Sequence, residues 1–277
     1  CQNKNQNGEF YSNDSTAKSS LGMSSVTRCG VDAGSREVKL AFFTGKSLVF
    51  SGSVDTVEFY TKCRNGGESL DITRLDQFKE APPVKRIVTT GYGRNKINII
   101  GGSAISEIMA HARGAIWQTG LTEFTLVDIG GQDTKVISVR DGAVKDFIMN
   151  DKCAAGSGRY LENIARVLSV SLEKLSTFSE DSATLSSTCA IFGESEVIGL
   201  ISEGVEIEKI LAGANRSVVM RLLPMIKKQK PERLVVTGGV ANNEAIIKML
   251  GIELKLEVTV PPLPQLNGAI GCCSCPE

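Results

Sequence analysis

The chain has 277 residues, of which 42% are hydrophobic, and its 31 basic and 31 acidic residues give a net charge of zero. This balance offers no electrostatic attraction to nucleic acid, and no stretch approaches the roughly 20 apolar residues of a membrane span. A charged and then apolar leader is also absent from the sequence, so we expect a soluble cytoplasmic protein that binds neither nucleic acid nor membrane.

One sequence pattern occurs twice along the chain. Residues 31–40 and 127–136 each contain an apolar run, an aspartate, a glycine and then a lysine before a second apolar run. The pattern predicts a strand, a tight turn and a returning strand, with Asp32 or Asp128 at the turn and backbone N–H groups facing an anion. Two such hairpins facing each other would clamp phosphates, and their carboxylates suit a hydrated Mg²⁺. The alternative is two ordinary hairpins, against which the matched lysine argues.

The repeated hairpin also predicts the domain organisation. A hairpin in each half favours two similar lobes, over residues 23–120 and 121–277. Residues 1–22 are polar and lack periodicity, which predicts a disordered N-terminal extension. Strands alternate with helices in both lobes, so the fold class is α/β.

Further elements are predicted between and after the hairpins. Residues 84–90 are typical of a buried strand, residues 99–116 of a helix rich in small side chains, and residues 254–260 of a last strand. His111, which falls in that helix, is the only histidine of the sequence. A single histidine argues against a zinc hydrolase or a Ser-His-Asp mechanism, and its place on a small-residue helix favours a structural or interface role.

A glycine pair follows an apolar strand late in the chain. Thr237 leads into Gly238 and Gly239, and a helix is predicted to begin near Asn242 or Asn243. Glycines at such a turn would let a ligand ring press against the backbone at a helix N-terminus, although they are needed as often for steric reasons alone. Together with the two hairpins, the turn completes a nucleotide site with a seat for adenosine.

Two of the eight cysteines share a distinctive setting. Cys153 and Cys189 each precede a glycine-containing helix start, where the helix N-terminus stabilises a thiolate. Iron–sulfur clusters usually require four thiolates, and a twofold dimer would supply the other two. The alternative is that both are small buried apolar residues, as free cysteines often are.

Three segments together resemble a known family. Residues 128–133, 150–161 and 187–198 are similar to the activators of 2-hydroxyacyl-CoA dehydratases, which share a family with the ATPase subunits of benzoyl-CoA reductase. The resemblance covers about residues 26–271. It implies the two-lobed fold of the actin/Hsp70/sugar-kinase superfamily, with duplicated ribonuclease-H-like lobes.

The resemblance implies an ATP-driven one-electron reductase. It would be a homodimer that holds one [4Fe–4S] cluster between its subunits through Cys153 and Cys189 of each. A ferredoxin or flavodoxin would donate the electron, and a separate iron–sulfur dehydratase or reductase would accept it. By the same resemblance, Mg²⁺ or the hydrolytic water lies near Asp128 or Asp133, and Gln132 belongs to the catalytic set. The implied nucleotide contacts are Asp32, Gly34, Ser35, Gly130, Gly131, Gln132, Gly238 and Gly239.

The first phosphate loop departs from the family pattern. The family usually has Ser-Thr after the first Asp-x-Gly, whereas Arg36 follows Ser35 here.

Two other functions remain open from the sequence. A small-molecule kinase of the same superfamily, or a regulatory ATP-binding module, would keep both hairpins and the glycine pair. Neither would need the paired cysteines, and iron content therefore discriminates between them and the reductase.

Overall fold

The computed structural model describes residues 27–66, 69–81, 83–91, 98–151, 153–185 and 190–274. The predicted disordered extension and Cys189 lie outside these residues. The structure separates into two compact units, of which the second is Ala115–Asn267 and the first combines Cys1–Gly114 with Gly268–Glu277. The C-terminal residues, which the sequence analysis assigned to the second lobe, therefore belong with the first unit.

The first unit is built on a five-stranded sheet. Strands β1, β2 and β3 form an antiparallel meander, and β5 and β7 extend the sheet in parallel on the other side of β1. The side chains of Val31, Leu40, Phe42 and Phe59 form part of its core. The elements are β1 (Thr27–Ala33), β2 (Glu37–Thr44), β3 (Ser47–Asp55), α1 (Thr56–Cys63), β4 (Ser69–Leu70), α2 (Asp76–Glu80), β5 (Arg86–Gly91), β6 (Asn98–Ile99), β7 (Gly102–Ala104) and α3 (Glu107–Thr119), which continues into the second unit.

The second unit repeats this sheet with the same strand order and directions, β10-β9-β8-β11-β12. Helices α4 and α7 cover one face, where Tyr160, Ile164 and Ile210 pack against Val127 and Val136. The elements are β8 (Phe124–Ile129), β9 (Thr134–Arg140), β10 (Ala143–Asn150), α4 (Gly158–Val167), α5 (Leu172–Leu175), α6 (Ala190–Ser202), α7 (Ile207–Lys228), β11 (Leu234–Thr237), α8 (Glu244–Leu254) and β12 (Val258–Thr259), followed by α9 (Asn267–Cys273).

Two predicted elements differ from the structure. The helix expected over 99–116 begins only at Glu107, because Ile99 pairs with β4 and Gly101 turns the chain at a positive φ of 73° into β7. The strand expected over 254–260 is reduced to β12, because α8 continues to Leu254 and ends at Lys255 in the left-handed conformation. The helix after the glycine pair does begin as predicted, since the Asn243 side chain accepts a hydrogen bond from the Ile246 N–H.

The last helix, α9, returns to the first unit. A β-carbon at Gly271 would lie 1.7 Å from the carbonyl oxygen of Ala110 in α3, so the two helix backbones pack closer than any side chain allows. Cys272 and Ala110 share a small buried cluster with Val88 of β5. Among the helices in the described part of the chain, we find none long and apolar enough to cross a membrane.

Candidate functional site

The first hairpin brings together three of the predicted nucleotide residues. Asp32 is buried near the end of β1 and stands opposite Lys39 in the antiparallel ladder. The N–H of Gly34 closes the turn by donating to the carbonyl oxygens of Asp32, at 3.2 Å, and Glu37, at 3.1 Å. Gly34 and Ser35 are half-buried in this turn. The structure therefore forms the predicted turn with its carboxylate at the base.

The second hairpin has the same construction in the second unit. Asp128 stands opposite Lys135 in the ladder between β8 and β9. The N–H of Gly130 donates to the carbonyl oxygen of Asp133 at 3.0 Å, which closes the turn and leaves Gln132 exposed at its tip. The predicted residues 128 to 133 are thus contiguous around a single turn.

Buried hydrogen bonds and ion pairs fix the carboxylate of Asp128. The Thr237 hydroxyl donates to Asp128 Oδ1 at 2.9 Å. Lys135 Nζ lies 3.7 Å from Asp128 Oδ2 and 2.7 Å from Asp133 Oδ2, and the Lys135 residue is only 1% exposed. An ammonium group held at this depth needs both carboxylates, since a buried unpaired charge is costly. Lys135 therefore sets the charge and the orientation of the turn that the sequence analysis singled out.

Each hairpin lies beside a parallel strand that ends in a glycine of positive φ. Gly238, at φ 87°, would place a β-carbon 2.4 Å from the carbonyl oxygen of Ile129, and Gly91, at φ 108°, would do the same to Ala33. Only glycine satisfies both the conformation and the close approach. A side chain at Gly239 would meet no atom of the described protein, so packing does not account for that second glycine. The sequence analysis gave Gly238 a ligand role and gave Gly91 none, although Thr-Gly occurs at the end of both strands.

The second hairpin turn is bonded directly to the start of α4. The N–H groups of Gly158 and Arg159 donate to the carbonyl oxygens of Gly130 and Gly131, both at 2.9 Å. The buried Ser157 hydroxyl also donates to the Gly131 carbonyl oxygen, at 3.0 Å. A displacement of this turn would therefore move the first residues of α4.

Cys153 lies just before that helix start. It is exposed and precedes a single 3₁₀ turn, Ala154–Gly156, which leads to α4. The carboxamide of Asn150 donates to the Cys153 carbonyl oxygen at 3.1 Å, and the Thr134 hydroxyl donates to the Gly156 carbonyl oxygen at 2.8 Å. The thiol thus projects from a segment that is anchored to β9 and β10.

The other described cysteines differ from Cys153. Cys29, Cys63, Cys272 and Cys273 are all buried. Burial, and then the neighbouring Cys273, raises the pKa of the Cys29 thiol well above its usual value, and burial is the main cause that raises the pKa of Cys63 to about 11. Four of the five described thiols are therefore unsuited to bind a shared metal centre.

The structure also groups three residues that the sequence analysis did not connect. His111 Nε2 lies 3.9 Å from Asp32 Oδ2 and 4.0 Å from Glu107 Oε1, within the first unit. The sequence analysis assigned His111 a structural role. The available signal was the four-residue spacing of Glu107 and His111, which places both on one helix face.

Comparison with known proteins gives concordant results. A model of the BadF/BadG/BcrA/BcrD ATPase family matches residues 29–273. The activator of lactoyl-CoA dehydratase from Anaerotignum propionicum is 39% identical over 248 residues, which are 87% of this chain and 94% of the relative.

Solved structures extend the comparison to the fold. The activator of the 2-hydroxyisocaproyl-CoA dehydratase from Clostridium difficile, solved with bound ADPNP, superposes with a TM-score of 0.77 at 34% identity, over 90% of this chain and 93% of that chain. A ROK family glucokinase from Streptomyces griseus has a TM-score of 0.55 at 11% identity, over 89% of this chain and 97% of that chain. The second likeness concerns the fold alone, and it confirms the sugar-kinase-like α/β class predicted from the sequence.

Proposed function

This chain belongs to the BadF/BadG/BcrA/BcrD ATPase family, and from that premise we propose that it couples ATP hydrolysis to the donation of single electrons. The acceptor would be an iron–sulfur dehydratase or reductase that acts on an acyl-CoA, since matched relatives bear the names of dehydratase activators. The observation that carries the proposal is the set of hydrogen bonds between the turn at Gly130 and Gly131 and the start of α4, which follows Cys153 after one 3₁₀ turn. These bonds give a nucleotide at the turn a route to the thiol.

On the nucleotide side, the proposal assigns phosphate contacts to the two hairpin turns. Backbone N–H groups at glycine turns suit phosphate oxygens, and the unexplained Gly239 suits close approach of the adenosine. Asp128 and Asp133 would act near Mg²⁺ or the hydrolytic water, with Gln132 exposed beside them. The full set of proposed nucleotide contacts is Asp32, Gly34, Ser35, Gly130, Gly131, Gln132, Gly238 and Gly239.

On the electron side, the proposal assigns the cluster ligands to Cys153 and Cys189 of two subunits. Four thiolates complete a [4Fe–4S] cluster, so a homodimer with one shared cluster satisfies the ligand count. The exposure of Cys153 supports this role, because the thiol must reach beyond its own subunit. Such a cluster, when bound, supplies one low-potential electron at a time.

The coupling would act through the protein's own residues. If the position of the turn at Gly131 differs between the ATP-bound and ADP-bound states, the hydrogen bonds of Ser157 and Arg159 to Gly131 would shift the first turn of α4 with it. A ligand shifts such an equilibrium only by its differential affinity for the two states. ATP must therefore bind better to the arrangement that docks on the acceptor.

The proposed electron donor, electron acceptor and cellular compartment follow from this chemistry. A ferredoxin or flavodoxin would reduce the protein, and a dehydratase or reductase would oxidise it. Cluster thiolates persist in a reducing compartment, which favours the cytoplasm.

Iron content of the anaerobically purified protein tests the electron side. We expect about two iron atoms per chain in the wild type, from one four-iron cluster per dimer. Cys153→Ser should abolish the cluster in both subunits and leave MgATP binding in place. The matched control is Cys63→Ser, because Cys63 is buried away from any helix start and should keep the iron.

Two outcomes contradict the proposal. Iron near the wild-type level in Cys153→Ser would exclude this thiol as a ligand. A colourless, iron-free wild type that transfers phosphate from ATP to a small molecule would establish a kinase instead.

A further inference from the structure

A second group of metal-ligating side chains lies entirely within the first unit. Asp32 comes from the end of β1, and Glu107 and His111 come from adjacent turns of α3. One ligand atom from each residue lies within 4.8 Å of the other two. Two elements that are far apart in the chain, β1 and α3, thus bring these three side chains together.

Burial makes this convergence electrostatically demanding. The side chains of Asp32, Glu107 and His111 are 9%, 15% and 7% exposed. Two carboxylates removed from water beside each other require compensating positive charge. A divalent metal ion bound at the three ligand atoms would supply such charge directly.

In the second unit, the same fold places a side-chain cation against the equivalent aspartate. There, the ammonium group of Lys135 lies against Asp128 and Asp133 and is almost completely buried. In the first unit, the corresponding aspartate faces His111, whose imidazole is a metal ligand when neutral. Both hairpins have a lysine opposite the aspartate in the ladder, but Lys39 is half-exposed whereas Lys135 is buried, and only the first aspartate has an imidazole beside it.

The spacing of the ligand atoms suits a divalent cation. Their separations are 3.9 Å, 4.0 Å and at most 4.8 Å, so a point central to them lies within about 2.5 Å of each, a distance at which a divalent ion can bind all three. Carboxylates suit Mn²⁺, and an imidazole favours first-row transition ions over Ca²⁺. Gly268 leaves the room that such an ion needs, since a β-carbon there would lie 2.3 Å from Asp32 Oδ2 and 3.1 Å from His111 Nε2.

We propose that Asp32, Glu107 and His111 form a binding site for a divalent first-row transition-metal ion, with Mn²⁺ as the best fit. The ion would occupy this site when no nucleotide is bound. Three protein ligands leave positions for water or for an oxygen of a further ligand. The site goes beyond the proposed function, because it needs neither the cluster nor ATP, although it shares Asp32 with the nucleotide contacts.

Binding of Mn²⁺ to nucleotide-free protein tests the site. Electron paramagnetic resonance counts the free ion, and we expect the wild type to bind one Mn²⁺ per chain. Glu107→Gln and His111→Ala should each weaken binding by at least about tenfold, since each removes a ligand. Glu58→Gln is the matched control, because this exposed carboxylate of α1 pairs with Lys62 and should leave binding unchanged.

A second measurement guards against misfolded variants. Mn²⁺ should raise the Tm of the wild type and of Glu58→Gln, and it should raise the Tm of Glu107→Gln less. Gly268→Ala should also lose binding, because the added methyl group occupies the site. Folding of every variant is checked by circular dichroism.

The outcomes separate this site from the proposed function. Cys153→Ser should bind Mn²⁺ as the wild type does, even though it lacks iron. A wild type that binds no Mn²⁺, or variants Glu107→Gln and His111→Ala with unchanged affinity, would overturn the site.

Discussion

Lys135→Met tests whether the buried charge network holds the second hairpin together. The substitution keeps most of the side-chain volume but removes the ammonium group that lies 2.7 Å from Asp133 and 3.7 Å from Asp128. Removing one partner of a buried ion pair costs about 3–5 kcal/mol. The Asp133 side chain is 21% exposed and can recover part of its hydration, so we expect a loss of about 3 kcal/mol in the free energy of unfolding.

Urea unfolding of the cluster-free protein measures the loss. With a slope of about 2 kcal/mol/M, the midpoint should fall by about 1.5 M. Lys39→Met is the control at the equivalent ladder position, and it should cost less than about 1 kcal/mol because Lys39 is half-exposed. The double variant Asp128→Asn, Lys135→Met should recover more than about 1 kcal/mol relative to Lys135→Met, because it neutralises one stranded carboxylate. Equal losses for the two lysines, or no recovery in the double variant, would refute the reasoning.

Three further predictions concern the nucleotide turn and the thiols. Gln132→Ala should lower ATP hydrolysis at least about tenfold while Tm and iron stay unchanged, since Gln132 is exposed at the turn tip; a loss of iron would contradict this. Ser157→Ala should lower the free energy of unfolding by about 1–3 kcal/mol, and it should reduce the effect of ATP on the rate at which a chelator removes iron. An undiminished effect of ATP on that rate would exclude Ser157 from the coupling. In cluster-free protein, mass spectrometry should find Cys153 alkylated by iodoacetamide well before Cys29 and Cys63, whose pKa values are raised by burial; the reverse order would refute the assigned burial.

Local patterns in the sequence sufficed for much of the fold. Both hairpins, the glycine turn at Gly238 and the helix beginning after Asn243 are encoded by neighbouring residues, and the structure contains all of them. The glycines and caps restrict the backbone where they stand, so their effect needs no knowledge of distant contacts.

The remaining features depend on residues far apart in the chain. The pairing of Ile99 with β4, which shortened the predicted helix, joins segments that no local periodicity connects. The grouping of Asp32 with His111 likewise depends on how α3 lies against β1. Gly91 was within reach of sequence reasoning, because the residues before it resemble those before Gly238, but the match is too short to stand out without the parallel strand register.

The return of α9 to the first unit has a consequence for biosynthesis. The ribosome completes residues 115–267 of the second unit before it makes Gly271 and Cys272, which the first unit needs for its close helix contact and its small buried cluster. The first unit, whose sheet is made first, therefore completes its core only after the second unit has been synthesised. Until α9 packs, Val88 and Ala110 lack part of their buried contacts, and a chaperone that shields them would raise the yield of folded protein.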